Sequence, residues 1–138
     1  AHQIKDRIIP QLESRSADFI CLNFANPDMV GHTGVFEAAV KACETVDHCA
    51  QKVTEAALSR GYATVIIADH GNADMMVNDD GTPNTAHTTN LVPCILVDAD
   101  YKGKLIDGKL GDLAPTILKL MGLPIPKQMT GTVLIENA

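Results

Sequence analysis

The segment that most limits the fold is Tyr62-Ala63-Thr64-Val65-Ile66-Ile67-Ala68, a run of strand length that is apolar at almost every position. A strand with one wet face alternates apolar and polar residues. A run without alternation is the pattern of a strand covered on both faces, as in a parallel sheet between helices. Before it lies a helical pattern over residues 34–60. There Phe36, Val40, Cys43, Val46, Ala50, Val53 and Ala57 recur at spacings of three and four, and Gly61 is a natural stop. Directly after it comes the polar turn chemistry of Asp69-His70-Gly71-Asn72. Helix, covered strand and polar turn in succession are the building unit of a layered α/β fold. In such folds ligands collect beyond the C-terminal ends of the strands.

The alternation continues along the chain. Residues 1–15 read as helix, kinked or delimited by Pro10. Residues 18–24 read as a strand ended by the turn residues Asn26-Pro27-Asp28. Residues 78–90 are polar and read as a loop, and residues 91–97 as a third strand. Residues 103–108 read as a turn or hairpin, and residues 112–121 as a shorter helix with Gly111 or Asp112 near its N-cap. A Pro-containing tail ends in Val133-Leu134-Ile135. The expected class is α/β: a three-layer α/β/α sandwich with a mainly parallel sheet, in 138 residues that amount to one domain's worth of chain.

Charge narrows the partners. The net charge is −6, which gives no electrostatic reason to expect nucleic acid or an anionic membrane. An acidic chain that handles an anionic substrate needs local cations, and metal ions are the usual means. No apolar run approaches the ~20 residues of a membrane span. The first residues lack a signal-peptide core and an initiator Met, and read as mid-chain sequence. Cys21, Cys43, Cys49 and Cys94 form no CxxC pair and read as reduced thiols of a cytoplasmic protein.

Three segments hold the candidate ligands: residues 26–32, 68–74 and 85–90. Asp28, Asp69 and His70 fall just past expected strand ends, and His32 and His87 sit among Gly, Asn and Thr. Carboxylate with imidazole is the donor mix of Zn, Mn, Fe or Co. Two carboxylates and three histidines exceed what one tetrahedral ion needs, and a two-metal site with ions ~3.5–4 Å apart uses them better. Each residue has a plainer alternative. Asp28 also serves to brace the Asn-Pro-Asp turn, His32 to enter a helix, and Asp69-His70-Gly71 to make a turn. His48 reads as a solvated helix residue and His2 carries no role. Lys102, Lys104, Lys109, Lys119 and Lys127 read as solvated surface, since no Gly-rich phosphate cradle precedes a helix.

At these segments the sequence resembles a known family. Residues 23–34, Asn-Phe-Ala-Asn-Pro-Asp-Met-Val-Gly-His-Thr-Gly, are similar to a signature of the cofactor-independent phosphoglycerate mutases. Ala68-Asp69-His70-Gly71-Asn72-Ala73-Asp74 and Thr85-Ala86-His87-Thr88-Thr89-Asn90 resemble its next two motifs, in order. Leu110-Gly111-Asp112-Leu113-Ala114-Pro115-Thr116 and Lys127-Gln128-Met129-Thr130-Gly131 resemble its C-terminal signature. That family belongs to the alkaline phosphatase superfamily and interconverts 3- and 2-phosphoglycerate in glycolysis. The resemblance implies two Mn²⁺ ions, with Co, Zn or Mg able to stand in, and no organic cofactor. It implies that Asp28, His32 and His87 bind one ion, and Asp69 and His70 the other.

The family's catalytic residue is a serine nucleophile that carries the phosphoryl group, and an upstream Asp completes the second site. Neither has a match here, since Ser14, Ser16 and Ser59 lie in no nucleophile turn. Residues 1–138 are therefore expected to be the C-terminal portion of the metal-binding phosphatase-like domain, with nucleophile segment and substrate-binding domain absent. Such a portion would leave a sheet face and edge uncovered. Other readings are a related phosphotransferase or phosphopentomutase, a non-catalytic metal-binding module, or a non-haem iron protein with two histidines and one carboxylate.

Overall fold

The long helical pattern of the sequence folds as one helix that organises the chain. The computed structural model describes residues 1–136. In chain order it contains α1 (His2–Glu13), α2 (Asn26–Gly31), α3 (Phe36–Ser59), β1 (Thr64–Ile67), β2 (Cys94–Val97) and, after a 3₁₀ turn over Leu110–Asp112, α4 (Leu113–Leu120). α3 packs against α1 and α2 through its small residues, with Ala39, Ala42 and Cys49 buried on that side. The larger residues of its stripe behave otherwise. Phe36, Val40 and Cys43 are exposed, while Val46, Ala50 and Val53 are half-buried. The physical reason is that α3 has two apolar flanks, and α1 and α2 approach closely only on the flank of small side chains. The other flank borders an open groove of about 470 Å³ toward the sheet, lined by Cys43, Val46, Ala50, Ile66 and Ile95.

The sheet departs from expectation in direction and extent. β1 and β2 pair antiparallel, with Thr64 opposite Val97 and Ile67 opposite Cys94. Among the described residues this is the only named strand pair, and no parallel pair forms. The expected strand over residues 18–24 makes no ladder: it and β1 line a common open cavity of about 1320 Å³ without pairing. β1 is not covered on both faces either, since Ile67 is exposed; so are Ile95 of β2 and Leu91 just before that strand.

Two prolines lie within helices. Asn26-Pro27-Asp28 is no turn but the opening of α2, with Pro27 in the first helical turn, where its missing N–H costs nothing. Pro10 does not end α1, which runs on to Glu13.

The C-terminal region is held by a polar staple. Residues 103–108 do not pair with themselves; Ile106 N–H donates to the Leu134 carbonyl, and Leu105 bridges Ile135. Asp112, almost fully buried, accepts from the Lys109 N–H at 2.9 Å and from the Thr132 N–H at 2.8 Å. These bonds, Lys109 first, outweigh desolvation and hold its carboxyl below the ordinary value of 3.8. With a depressed native pKa, its stabilising share is present above the ordinary carboxylate range and lost as pH falls below it. Buried Thr116 donates to the Asp112 carbonyl at 2.6 Å and accepts from the Leu134 N–H at 2.9 Å. Thr116→Val keeps the shape and strands that N–H. A loss of about 1–3 kcal/mol in urea-measured stability is expected, and a neutral result would show that the bond is dispensable.

All four cysteines are free; Cys49 is buried and the other three are exposed. The five lysines read as surface residues are exposed. No helix among the described residues is long and apolar enough to cross a membrane.

Candidate metal centre

α2 presents the first donors because its residues are one helical turn apart. Asp28 lies in its first turn and His32 follows it as C-cap, so their side chains share a face. The loop of residues 78–90 folds back over them. Its register is fixed by a bridge between Gly71 and Thr88. Gly71 is required there, since a Cβ would collide with Thr88 Oγ1 and lie 2.7 Å from Asp74 Oδ1.

The result is a tight focus of donors. Asp28 Oδ1 lies 3.2 Å from His32 Nε2 and 3.1 Å from His87 Nε2. The two Nε2 atoms are 3.2 Å apart. Facing lone pairs at that separation repel unless a proton or a cation sits between them. The His32 Nδ1–H donates to the Thr85 carbonyl at 2.7 Å, which turns Nε2 toward Asp28. His70 approaches from the turn after β1. Its ring stacks on that of His87 with centroids 3.8 Å apart, and its Nε2 is 4.0 Å from Asp28 Oδ1. Asp69 does not join the focus. Its side chain is 79% exposed, and its Oδ1 is 3.7 Å from His70 Nε2.

Electrostatics favour an ionised Asp28. Partial desolvation pushes its carboxyl up, but the Asn72 amide and the three imidazoles prevail and hold it below 3.8. Its charge is thus retained through mildly acidic pH. The edges of the triangle match the spacing of about 3.0–3.4 Å between donors that each lie ~2.0–2.2 Å from one first-row divalent ion.

Beneath the donors lies a network not foreseen from the sequence. Asp74 accepts from Asn90 Nδ2 at 2.6 Å and from Thr88 Oγ1 at 2.9 Å. The Asn90 bond first, and then Thr88 and local backbone amides, hold the Asp74 carboxyl below its ordinary value against desolvation. These bonds tie the loop carrying His87 to the turn carrying His70. Asn72 donates to Asp28 Oδ1 at 2.8 Å. The only sequence signal was that these short polar residues sit inside the ligand segments. Ser14 and Ser16 bond to the end of α1, and Ser59 to the Ala56 carbonyl of α3, so all three belong to helix ends.

Known proteins resemble this chain over nearly its whole length. Residues 1–125 match the family model described as the metalloenzyme superfamily. A 2,3-bisphosphoglycerate-independent phosphoglycerate mutase of Flavobacterium johnsoniae is 60% identical over 130 residues, covering 94% of this chain and 26% of its own length. One from Salinibacter ruber is 56% identical over 135 residues, covering 98% and 26%. The crystal structure of Leishmania mexicana phosphoglycerate mutase at low cobalt concentration superposes with a TM-score of 0.87 at 28% identity, covering 99% of this chain and 28% of that one. The chain thus spans about a quarter of the length of the relatives it matches. Its α/β fold is of the alkaline-phosphatase-like kind, and the chain belongs to the metalloenzyme superfamily.

Proposed function

We propose that this chain is the metal-holding, C-terminal portion of the phosphatase-like domain of a cofactor-independent phosphoglycerate mutase, acting in cytoplasmic glycolysis. The full enzyme interconverts 3-phosphoglycerate and 2-phosphoglycerate through a phosphoserine. The observation that carries this reading is the convergence of Asp28 Oδ1, His32 Nε2 and His87 Nε2, each within 3.2 Å of the next. Relatives bearing that enzyme's name, alike over nearly the whole chain, support it.

The residues present fit a divalent ion. One carboxylate oxygen and two imidazole nitrogens face one point, and the Nδ1–H of His32 is already committed to Thr85. On this reading Asp28, His32 and His87 hold one ion, and Asp69 and His70 supply ligands for a second. Manganese is the expected metal. Bound divalent ions neutralise charge on a transferring phosphoryl group and orient the attacking and leaving oxygens. This chain's part is to hold and orient. Asp28 supplies negative charge to offset the cations, and Asp74 fixes the His87 loop against the His70 turn. The serine oxygen that bonds to phosphorus, while the phosphorus–glycerate oxygen bond breaks, is contributed from outside these 138 residues. So are the basic residues that grip the substrate. The chain alone is therefore expected to show no mutase or phosphatase turnover; turnover that survived loss of both Asp28 and His87 would defeat the assignment.

The direct test is a thermal melt of chelator-stripped chain with and without ~1 mM Mn²⁺, beside His87→Ala. A ligand that binds only the native state adds RT ln(1 + [L]/Kd), so ~100 Kd of free metal gives ~2.7 kcal/mol. The expected result is a shift in the parent that shrinks in the variant. No shift in the parent would contradict the ligand assignment. Affinity is also expected to fall on acidification, because imidazole must be neutral to ligate; equal affinity at pH 5 and pH 8 would speak against histidine ligation.

A further inference from the structure

The side chain of Asn72 sits against the donor triangle without being one of its donors. It is only 5% exposed, in the turn after β1. Its Nδ2 donates to Asp28 Oδ1 at 2.8 Å and lies 3.4 Å from His32 Nε2. Its Oδ1 is buried and has no hydrogen-bond partner among the described residues. That oxygen rests over Gly31, where a Cβ would collide with it.

A buried amide oxygen without a donor is unfavourable, so something must hold the amide in this orientation. Turning it round would set Oδ1 against Asp28 Oδ1, two acceptors in contact. The orphaned oxygen is the cost of keeping a donor on the carboxylate, and the bare backbone of Gly31 makes room for it. Once His32 Nε2 gives its lone pair to a cation, Asp28 Oδ1 is the acceptor left to Asn72. Any influence of Asn72 on the ion therefore acts through Asp28.

We propose that Asn72 is a positioning residue of the metal centre, which clamps Asp28 Oδ1 toward His32 and His87 and thereby sets the affinity and coordination geometry of the ion they hold. The proposal rests on the reading of Asp28, His32 and His87 as ligands of one ion.

The test compares the parent chain with Asn72→Ala, which removes the side chain, and Asn72→Leu, which refills its space without the donor. A third variant, Gly31→Ala, keeps Asn72 and displaces its amide from the opposite side. Three readouts are taken: metal-free melting temperature, Mn²⁺ dissociation constant by titration, and the visible absorption of bound Co²⁺. Loss of a group that orients a ligand weakens metal binding roughly 10–100-fold. The expected result is a weakening of that size in all three variants. Asn72→Leu is expected to melt near the parent without metal, yet to give a changed Co²⁺ band at saturation. Recovery of the parent's Mn²⁺ affinity and Co²⁺ band by Asn72→Leu would overturn the proposal, since Asn72 would then only fill space. Parent-like affinity in Gly31→Ala would also overturn it. A parent that binds Mn²⁺ with variants that bind equally well removes this proposal and leaves the metal reading intact, whereas a parent without response removes both.

Discussion

Asp28→Ala is expected to lower Mn²⁺ affinity by at least about 100-fold, beyond the loss typical of a group that merely orients a ligand. Among the described residues, Asp28 Oδ1 is the one anionic atom within 3.2 Å of both His32 Nε2 and His87 Nε2, and it lies 4.0 Å from His70 Nε2. Without it three imidazoles face one another with no charge to offset a cation. Asp69 does not substitute, because it lies outside the triangle, largely exposed and with its Oδ1 3.7 Å from His70 Nε2. Asp28→Asn is the sharper companion, since it keeps the shape and removes the charge. If charge matters most, Asn should bind nearly as poorly as Ala. The measurement is a Mn²⁺ titration followed by melting temperature, and a variant that kept the parent's metal-induced rise would exclude Asp28 as a ligand. The pH course separates the carboxylate from the imidazoles. Because its native pKa is depressed, Asp28 loses its charge only below the ordinary carboxylate range, so an affinity loss above that range does not come from the carboxylate.

Leu134→Ala is expected to have the largest effect on stability itself, about 2–5 kcal/mol. Leu134 is 4% exposed, far along the chain from the donor triangle. Its side chain packs on Gly108, its N–H donates to Thr116 and its carbonyl accepts from Ile106. Truncation leaves a void under a bracket of three segments that have little other covering. For a small domain with a total stability of ~5–15 kcal/mol, that is a large fraction. The midpoint in urea should fall with an unchanged slope. Leu134→Met, nearly volume-conserving, should cost less than about 1.5 kcal/mol. An alanine variant as stable as the parent would mean that the tail is not part of the cooperative unit. Metal affinity of the folded fraction should be untouched, the reverse of the Asp28 result.

The elements legible in the sequence were those whose pattern is local. The period of Val46, Ala50, Val53 and Ala57 gave α3 to within two residues of its ends. Which flank of α3 would be covered was not legible, because both flanks are apolar and the choice depends on what α1 and α2 leave open. The apolar run at residues 64–67 announced a strand, but its partner's direction is set by tertiary placement, and apolarity alone does not distinguish parallel from antiparallel. Asn26-Pro27-Asp28 was ambiguous in principle, since Pro suits both a turn and a helix's first turn. In the candidate centre, the grouping of Asp28 with His32 and His87, and of Asp69 with His70, came from the family resemblance alone, since order along the chain does not say which loops meet. Asn72, Asp74, Thr88 and Asn90 gave no separate signal. Short polar residues are what any turn contains, and only coordinates reveal that these bond to one another.

The two Nε2 atoms that nearly touch belong to histidines 55 residues apart. That separation has a consequence for time. Closing so long a loop is slow compared with forming α2 or α3, and its entropy must be met before the contact returns anything. The donor triangle should therefore be among the last features to assemble. During refolding, a metal ion should find no complete binding place until the polar loop has docked, so Mn²⁺ added at the start should slow unfolding far more than it speeds folding.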